Sequence, residues 1–141
     1  DRLQKECKVK VKLAEEGMAI VPGEVYLASG GLHLSIHPST KNITLLDTPP
    51  ENFVKPAADP TFKIVAEIFG KNSIGVVLTG MGHDGSIGSG YIKAAGGLVI
   101  AQDPKEAMLS SMPQSVVDLK LASVITKLIE IPSLIANYIK K

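Results

Sequence analysis

Residues 73–102, SIGVVLTGMGHDGSIGSGYIKAAGGLVIAQ, form the stretch that decides the fold. The stretch begins with a short apolar run, SIGVVLT, which is typical of a strand buried on both faces of a parallel sheet. The segment 85–95 then has apolar residues at helical spacing, and Gly96 is the predicted stop. A second apolar run, GLVIAQ, follows and predicts another buried strand. A strand, a helix and a strand in succession predict an α/β fold with a mostly parallel sheet.

The segments on either side of this stretch complete the predicted fold. The N-terminal DRLQKEC is typical of the last part of a helix. A proline-rich loop, TPPENFVKPAADP, leads to a helix for which Asp59 is the predicted N-cap and Pro60 the first residue. Asp103 opens a short helix with a capping-box pattern. Further strands are predicted at 9–13, 24–28, 32–36, 42–46 and near Val124, and the third and fourth of these form a hairpin. In the helix predicted over 85–95, the apolar face consists of Ile87, Tyr91 and Ala94. Two more helices are predicted from Pro113 and from about Pro132.

The composition fits one globular domain over residues 1–141. Apolar residues make up 45% of the chain, which argues against a disordered protein, and a formal net charge of +1 gives no support to a nucleic-acid-binding surface. Cys7 is the only cysteine, so neither a disulfide framework nor a zinc-binding set of cysteines is expected. No apolar run is long enough to span a bilayer, so we expect no membrane insertion and a cytoplasmic location.

Three polar or glycine-rich loops follow predicted strands. They lie at Thr79–Gly85, at Gln102-Asp103 and at Ser29–Gly31. In open α/β sheets the functional site lies at the carboxyl ends of the strands. We therefore expect the site of this protein where these loops meet.

The first loop fits the dinucleotide-binding pattern G-x-G-x-x-G at Gly80, Gly82 and Gly85. Asp103 stands about 20 residues further on, where an acidic residue would bind the ribose. Asp84, however, would place a negative charge beside the pyrophosphate. Roughly half of the chain also precedes the pattern, which normally belongs to the first strand-turn-helix unit of such a domain. A dinucleotide-dependent enzyme is therefore the less favoured interpretation.

Asp84 gives the loop a second interpretation. A tight turn after a strand can project one carboxylate into the cleft, where it orients a histidine as the acid of a Ser-His-Asp triad does. An amide of the same turn can donate to an oxyanion. Asp84 can also simply cap the helix that begins near Gly85. Spacing alone leaves both roles open.

Residues 78–118, LTGMGHDGSIGSGYIKAAGGLVIAQDPKEAMLSSMPQSVVD, closely resemble the catalytic domain of the bacterial chemotaxis protein-glutamate methylesterases. The motifs of that family are T-G-M-G-x-D-G, a G-G before the next strand, a Gln at its end and M-P at the following helix. Two upstream segments, VPGEVYLASGGLHL and DTPPENFVKPAAD, are similar to further family segments, so the resemblance covers nearly the whole chain. The motif positions here are 79–85, Gly96-Gly97, Gln102 and Met112-Pro113.

The resemblance implies a three-layer α/β/α domain with a mostly parallel sheet and an antiparallel hairpin. It implies hydrolysis of glutamyl methyl esters on the cytoplasmic helices of chemoreceptors, and in some relatives deamidation of receptor glutamines. The family uses a Ser-His-Asp triad without a metal or a cofactor. Asp84 matches the triad acid, and Met81 matches the residue whose backbone amide contributes to the oxyanion hole. The implied cleft residues are Thr79, Gly80, Gly82, Gly85, Gln102, Met112 and Pro113.

The chain departs from the family pattern at the other two members of the triad. The family serine lies in a G-x-S-x-G-G turn and the histidine in an H-M-P segment, and neither motif occurs here. Ser29-Gly30-Gly31 imitates a nucleophile turn, but Ser29 falls on a different family position, where proline is usual. Smaller departures are Lys55 for Arg and Ser111 for Gly, and the only histidines are His33, His37 and His83.

Because the chain begins at Asp1 inside an apparent helix, we expect the serine and the histidine to lie upstream, in a missing N-terminal part of the domain. A regulatory receiver domain further upstream is usual in this family. The prediction is that the chain is inactive by itself. A non-catalytic remnant that binds receptor or another protein is the alternative from a different functional class.

Overall fold

The computed structural model describes residues 2–140. These residues contain five α-helices, seven β-strands and two short 3-10 turns. The helices are α1 (Arg2–Glu6), α2 (Ala58–Phe69), α3 (Ser86–Ala94), α4 (Ser111–Asp118) and α5 (Ile131–Ile139). The strands are β1 (Lys10–Leu13), β2 (Glu24–Leu27), β3 (His33–Ile36), β4 (Ile43–Leu46), β5 (Ile74–Val77), β6 (Leu98–Gln102) and β7 (Val124–Thr126).

The strands form two parallel sheets and one antiparallel pair. Strands β5, β6 and β7 form a parallel sheet with β6 in the centre, β1 pairs with β2 in parallel, and β3 and β4 form the hairpin. The predicted α/β class with parallel strands and an antiparallel hairpin is therefore confirmed. Within the part of the chain that is described, no helix is long and apolar enough to cross a membrane.

The hydrophobic core lies around the central strand β6. Val99, Ile100 and Ala101 on this strand are completely buried, and Ile92 of α3 and Val116 of α4 are equally buried. Burial of a side chain of this size contributes about 1.5–3 kcal/mol relative to exposure. The core thereby fixes the carboxyl ends of β5 and β6, from which the functional loops extend.

Helix α3 differs from its predicted orientation. The residues expected on one apolar face are all exposed, whereas the buried side consists of small residues and Ile92. Small residues let α2 approach closely, since a methyl group added at Gly88 would lie only 2.5 Å from Phe62 Cβ. Close helix packing has therefore taken the place of a large apolar stripe. The exposed residues are Ile87, Tyr91 and Ala94.

Two predicted helix starts are wrong. Helix α2 begins at Ala58 with Ala57 as its N-cap, so Asp59 lies one residue inside the helix and is buried. The segment after Asp103 is a turn rather than a helix, in which the amides of Glu106 and Ala107 both donate to the Asp103 carbonyl. At both Asp59 and Asp103 the capping pattern correctly predicted that the aspartate accepts backbone hydrogen bonds. It was wrong about which structural element those hydrogen bonds begin.

Helix α4 begins at Ser111, two residues before the predicted start at Pro113. Strand β5 is also less buried than predicted, because Gly75 and Val77 are buried while Ile74 and Val76 are only partly so. The other predicted strands and the helix near the C-terminus are found with shifts of one or two residues at their ends. For DRLQKEC the helix is seen over Arg2–Glu6, and Asp1 lies outside the described residues.

Candidate functional site

The loop between β5 and α3, residues 79–85, is fastened along the segment that precedes α4. The Gly80 amide donates to the Leu109 carbonyl at 2.8 Å, and the Met112 amide donates to the Gly80 carbonyl at 3.2 Å. The Gly82 amide donates to Ser111 Oγ at 3.0 Å. These bonds hold the glycine-rich loop in one conformation beside the start of α4.

The Gln102 side chain ties the same loop to the central strand. Its Oε1 accepts a 2.8 Å hydrogen bond from the Thr79 amide, and its Nε2 donates to Glu106 at 3.0 Å. Pro113 is buried in the first turn of α4, and its neighbour Met112 packs against Gly80, where an added methyl group would meet Met112 Sδ at 2.4 Å. The structure thus brings together predicted cleft residues from the glycine-rich loop, the end of β6 and the start of α4.

The Asp84 carboxylate lies at the start of helix α2, which is 26 residues away in sequence. Its Oδ2 accepts a 2.6 Å hydrogen bond from the Ala58 amide, and its Oδ1 accepts one of 3.1 Å from the Asp59 amide. The Gly85 amide and Asn52 Nδ2 also donate to Oδ1, at 3.0 and 3.1 Å. Two of its four donors are thus the first amides of α2, a favourable place for a negative charge.

The Asp59 carboxylate performs the reciprocal task at the start of helix α3. Its Oδ1 accepts hydrogen bonds from the Gly85 amide at 3.0 Å and from the Gly88 amide at 2.7 Å. Its Oδ2 accepts a 2.8 Å bond from Asn52 Nδ2. Helix α3 is therefore capped by Asp59 from the first turn of α2, and α2 is capped by Asp84 from the loop just before α3; we call Asp59 and Asp84 the carboxylate pair.

Asn52 lies between the two members of the carboxylate pair and donates to both. It occupies a tight turn in which Glu51 and Val54 exchange two backbone hydrogen bonds of 3.0 Å, and its φ is 55°. The sequence prediction missed Asn52, because only the tertiary structure brings it to Asp84. A weak signal was present, since asparagine is among the few residues that tolerate positive φ in a turn.

Asp84 is partly exposed and lines an open cavity of about 400 Å³ between the end of β2 and the start of α2. Most of the cavity wall is apolar, so the Asp84 carboxylate stands out as a charged group among the lining residues. The Tyr26 hydroxyl makes its hydrogen bonds to other residues than Asp84. It accepts from the Val21 amide at 2.8 Å and donates to Glu24 Oε2 at 2.8 Å. The lining residues are Tyr26, Leu27, Ala28, Leu34, Pro56, Ala57, Ala58, Thr61, Phe62 and Asp84.

None of the three histidines donates to Asp84. His33 is completely buried, where its Nε2 donates to the Pro49 carbonyl at 2.9 Å and its Nδ1 accepts from the Ala57 amide at 3.1 Å. His37 belongs to a surface turn, and His83 is exposed. A triad relocated onto these histidines is therefore not assembled within residues 2–140.

Ser29 also lacks the environment of a nucleophile. Its Oγ donates to the Ala14 carbonyl at 3.0 Å, which ties the end of β2 to the end of β1. His33 instead has a structural role that the sequence did not reveal. Because it bonds both the proline-rich loop and the N-cap of α2, it holds the helix start that receives Asp84.

Met81 is one of the exposed predicted site residues, with 78% of its surface accessible. The amides of Gly80 and Gly82 on either side are hydrogen-bonded, as described above. Among residues 2–140 the Met81 amide has no hydrogen-bond partner. The loop therefore presents one backbone donor that a ligand could use.

The geometry argues against the dinucleotide interpretation. A pyrophosphate would need the first amides of α3, but the amides of Gly85 and Gly88 are already bonded to the buried Asp59. Asp103 Oδ1 accepts from the Lys105 amide in its own turn. Within residues 2–140, no group of three His, Cys, Asp or Glu side chains is placed to hold a metal ion.

An ion pair closes the proline-rich loop that carries Asn52. Lys55 Nζ lies 2.5 Å from Asp47 Oδ1, and this hydrogen bond, reinforced by the charge of the lysine, lowers the pKa of Asp47 below its ordinary value of 3.8. Between strands β1 and β2, the hydrogen bond from Lys12 to Glu24 is the main cause of a lowered pKa for Glu24.

Comparison with known proteins places the chain in a family. The sequence pattern of the CheB methylesterase family matches residues 1–135. The chain is 36% identical over 141 residues to a protein-glutamate methylesterase/protein-glutamine glutaminase of Pyrococcus horikoshii, covering 99% of this chain and 38% of that protein. It is 40% identical over 130 residues to a protein of the same name from Maricaulis maris, covering 91% and 32%.

A solved structure agrees with these relatives. The CheB methylesterase catalytic domain of Thermotoga maritima has a TM-score of 0.90 and is 36% identical, with coverage of 94% of this chain and 71% of that one. The chain spans only 38% of the length of the Pyrococcus relative, so it corresponds to part of such a protein. The family match over nearly the whole chain and the agreement of the folds show that this chain belongs to the CheB methylesterase family.

Proposed function

We propose that this chain is the part of a chemotaxis protein-glutamate methylesterase that carries the acid of a Ser-His-Asp triad, with Asp84 as that acid. The serine and the histidine are supplied by residues upstream of Asp1 in a longer polypeptide. The reaction is hydrolysis of a glutamyl methyl ester to glutamate and methanol. We expect the chain by itself to be inactive, because residues 2–140 bring no serine and histidine together with Asp84.

The observation that carries this proposal is the setting of the Asp84 carboxylate. Four hydrogen bonds fix its position, yet it remains on the wall of an open, mostly apolar cavity. A triad acid needs both properties, because it must hold one imidazole tautomer and stabilise the imidazolium that forms. A carboxylate that served only as a cap would have no need of the cavity.

The Met81 amide is proposed to donate to the oxyanion of the tetrahedral intermediate. Its support is that the amide is unpartnered within residues 2–140 and that the loop is held rigid by the bonds of Gly80 and Gly82. A donor held in place before the reaction stabilises developing charge without a cost of reorganisation. Thr79, Gln102, Met112 and Pro113 support the loop from the side of β6 and α4.

The proposed substrates and location follow from the family. The substrates are methylated glutamates on the cytoplasmic helices of chemoreceptors, so the protein works in the cytoplasm. Deamidation of receptor glutamines by the same site is part of the proposal, because the relatives are named for both activities. An upstream receiver domain would complete the protein.

The test is release of methanol from methylated receptor, measured for this chain and for the chain extended upstream to the length of its relatives. We expect no release from the chain alone and turnover by the extended chain. In the extended chain, Asp84→Asn should lower kcat by up to about 10⁴-fold, because the asparagine holds the wrong histidine tautomer.

Asp118→Asn is the matched control for this substitution. Asp118 is exposed at the end of α4 and its carboxylate accepts only from Gln114 Nε2, at 2.8 Å. The same change of charge there should leave the rate unaltered. Turnover by the Asp84→Asn variant at the rate of the unsubstituted protein would refute the role of Asp84.

A further inference from the structure

We propose that Asn52 is a positioning residue for the reaction, because it fixes which oxygen of Asp84 is available to the histidine. This inference rests on the proposed role of Asp84 as the triad acid. Asn52 touches neither the substrate nor the reacting atoms and acts only through Asp84.

The two oxygens of Asp84 have unequal hydrogen bonding. Oδ1 accepts three bonds, from Asn52 Nδ2 and from the amides of Asp59 and Gly85, whereas Oδ2 accepts only the Ala58 amide at 2.6 Å. Oδ1 is therefore saturated, and Oδ2 keeps an acceptor site. A histidine that approached through the cavity would donate its Nδ1–H to Oδ2.

Asn52 also separates the two charges of the carboxylate pair. Oδ1 of Asp59 and Oδ1 of Asp84 each lie 3.0 Å from the Gly85 nitrogen, so the two oxygens are at most about 6 Å apart. Like charges at this distance repel, and each carboxylate needs a donor on the side that faces the other. The two hydrogens of Asn52 Nδ2 meet both needs at once, at 2.8 and 3.1 Å.

The turn that carries Asn52 holds its amide in this position. Residues 52 and 53 both have positive φ, at 55° and 67°, between the two backbone bonds of Glu51 and Val54. Asn52 is directed inward, whereas 99% of Phe53 is exposed. A neutral amide can donate to two carboxylates without adding a third negative charge, which an aspartate would do.

The experiment uses the extended chain with Asn52→Gly, Asn52→Asp and, as matched control, Phe53→Gly. Glycine suits the positive φ of both turn positions, so the two glycine variants alter the backbone equally and only one removes the amide. We expect Asn52→Gly and Asn52→Asp to lower kcat by about tenfold to a hundredfold with little change in KM. Phe53→Gly should keep the kcat of the unsubstituted protein.

The pH dependence of kcat/KM separates positioning from general destabilisation. A displaced carboxylate stabilises the imidazolium less, so the acid limb of the profile should move to lower pH in Asn52→Gly and stay in place in Phe53→Gly. Because Asn52→Asp can also destabilise the fold by charge repulsion, Asn52→Gly is the decisive variant. Circular dichroism and thermal unfolding establish that each protein is folded.

Asp84→Asn and the double variant with Asn52→Gly distinguish the two proposals. If Asn52 acts through Asp84, its removal should cost nothing further once Asp84 has been replaced, because the two losses are not additive. If Asp84→Asn lowers kcat but Asn52→Gly does not, or if the two losses multiply, the positioning role is wrong and the triad assignment stands. If Asp84→Asn keeps full turnover, the proposed function itself fails.

Discussion

Helices α2 and α3 begin next to each other, and each is capped across the contact: α2 by Asp84, which lies just before α3, and α3 by Asp59, which lies in the first turn of α2. The two carboxylates make similar bonds, yet Asp59 is only 4% exposed while Asp84 lies on the wall of an open cavity. Oδ2 of each carboxylate accepts a single hydrogen bond, but only the carboxylate of Asp84 can be reached by a further donor from the cavity. Burial, and not the capping interaction, therefore distinguishes the two carboxylates, and the accessible one is the one to which we assign the proposed catalytic role.

The largest effect on stability is expected from Asp59→Ala. The substitution leaves the buried Gly88 amide without an acceptor and the Gly85 amide with only Asp84 Oδ1, and it should lower the free energy of unfolding by about 2–4 kcal/mol. Asp84→Ala should cost less, since water in the cavity can reach the freed amides. Urea unfolding of both variants checks the order, and an equal loss would contradict the contrast between the two carboxylates.

A somewhat smaller loss is expected from His33→Ala, which tests the support on the Asp84 side. The Ala57 amide and the Pro49 carbonyl would lose their buried partner, and we expect a cost of about 2–3 kcal/mol. His37→Ala is the control, because His37 bonds only the amides of its own exposed turn. Equal stability of the two alanine variants in urea would show that His33 does not hold the start of α2.

Gly88→Ala and Gly90→Ala test the close approach that lets Asp59 reach α3. A methyl group at Gly88 would lie 3.1 Å from Asp59 Cα as well as against Phe62, so we expect a loss of about 1–3 kcal/mol. Gly90, two residues further along the same helix, has only Leu121 Cδ1 at 3.9 Å.

At Gly90 the higher helix propensity of alanine should therefore stabilise the protein, by about 0.5–1 kcal/mol. Thermal unfolding monitored by circular dichroism compares the two variants. The prediction requires shifts of opposite sign, and destabilisation of similar size at both positions would count against the packing argument.

The smallest effect is expected at the Asp47–Lys55 pair, on the loop that carries Asn52. The pKa of Asp47 is lowered in the folded protein, so its contribution to stability is present above 3.8 and disappears as the pH falls through the lowered pKa. The melting temperatures of the native sequence and of Asp47→Asn should differ slightly at neutral pH and converge in acid. High salt should also reduce the difference, because the Asp47 carboxylate is solvent-exposed. A difference that grew in acid would contradict this sign.

Much of the fold could be predicted because the relevant signals are local. The run IGVV, the run LVIAQ and the glycines between them define a strand, a turn, a helix and a strand within thirty residues. Asp84 could be singled out because its charge does not suit the G-x-G-x-x-G pattern around it. The predicted start of α2 and the helix predicted after Asp103 are wrong for one reason. A capping pattern in the sequence does not show which backbone amides the capping side chain will bond in the folded protein.

The sequence by itself determined the α/β class, the family and the loop that presents Asp84, because periodicity and short motifs are written in neighbouring residues. Only the tertiary structure decided that Asp84 caps α2, that Asp59 caps α3 and that Asn52 joins them. Three of the four donors to Asp84 lie 25 to 32 positions away along the chain, and they meet it only because small residues such as Gly88 let the two helices pack closely. Hydrogen bonds of this kind depend on distance in space, which no local pattern encodes.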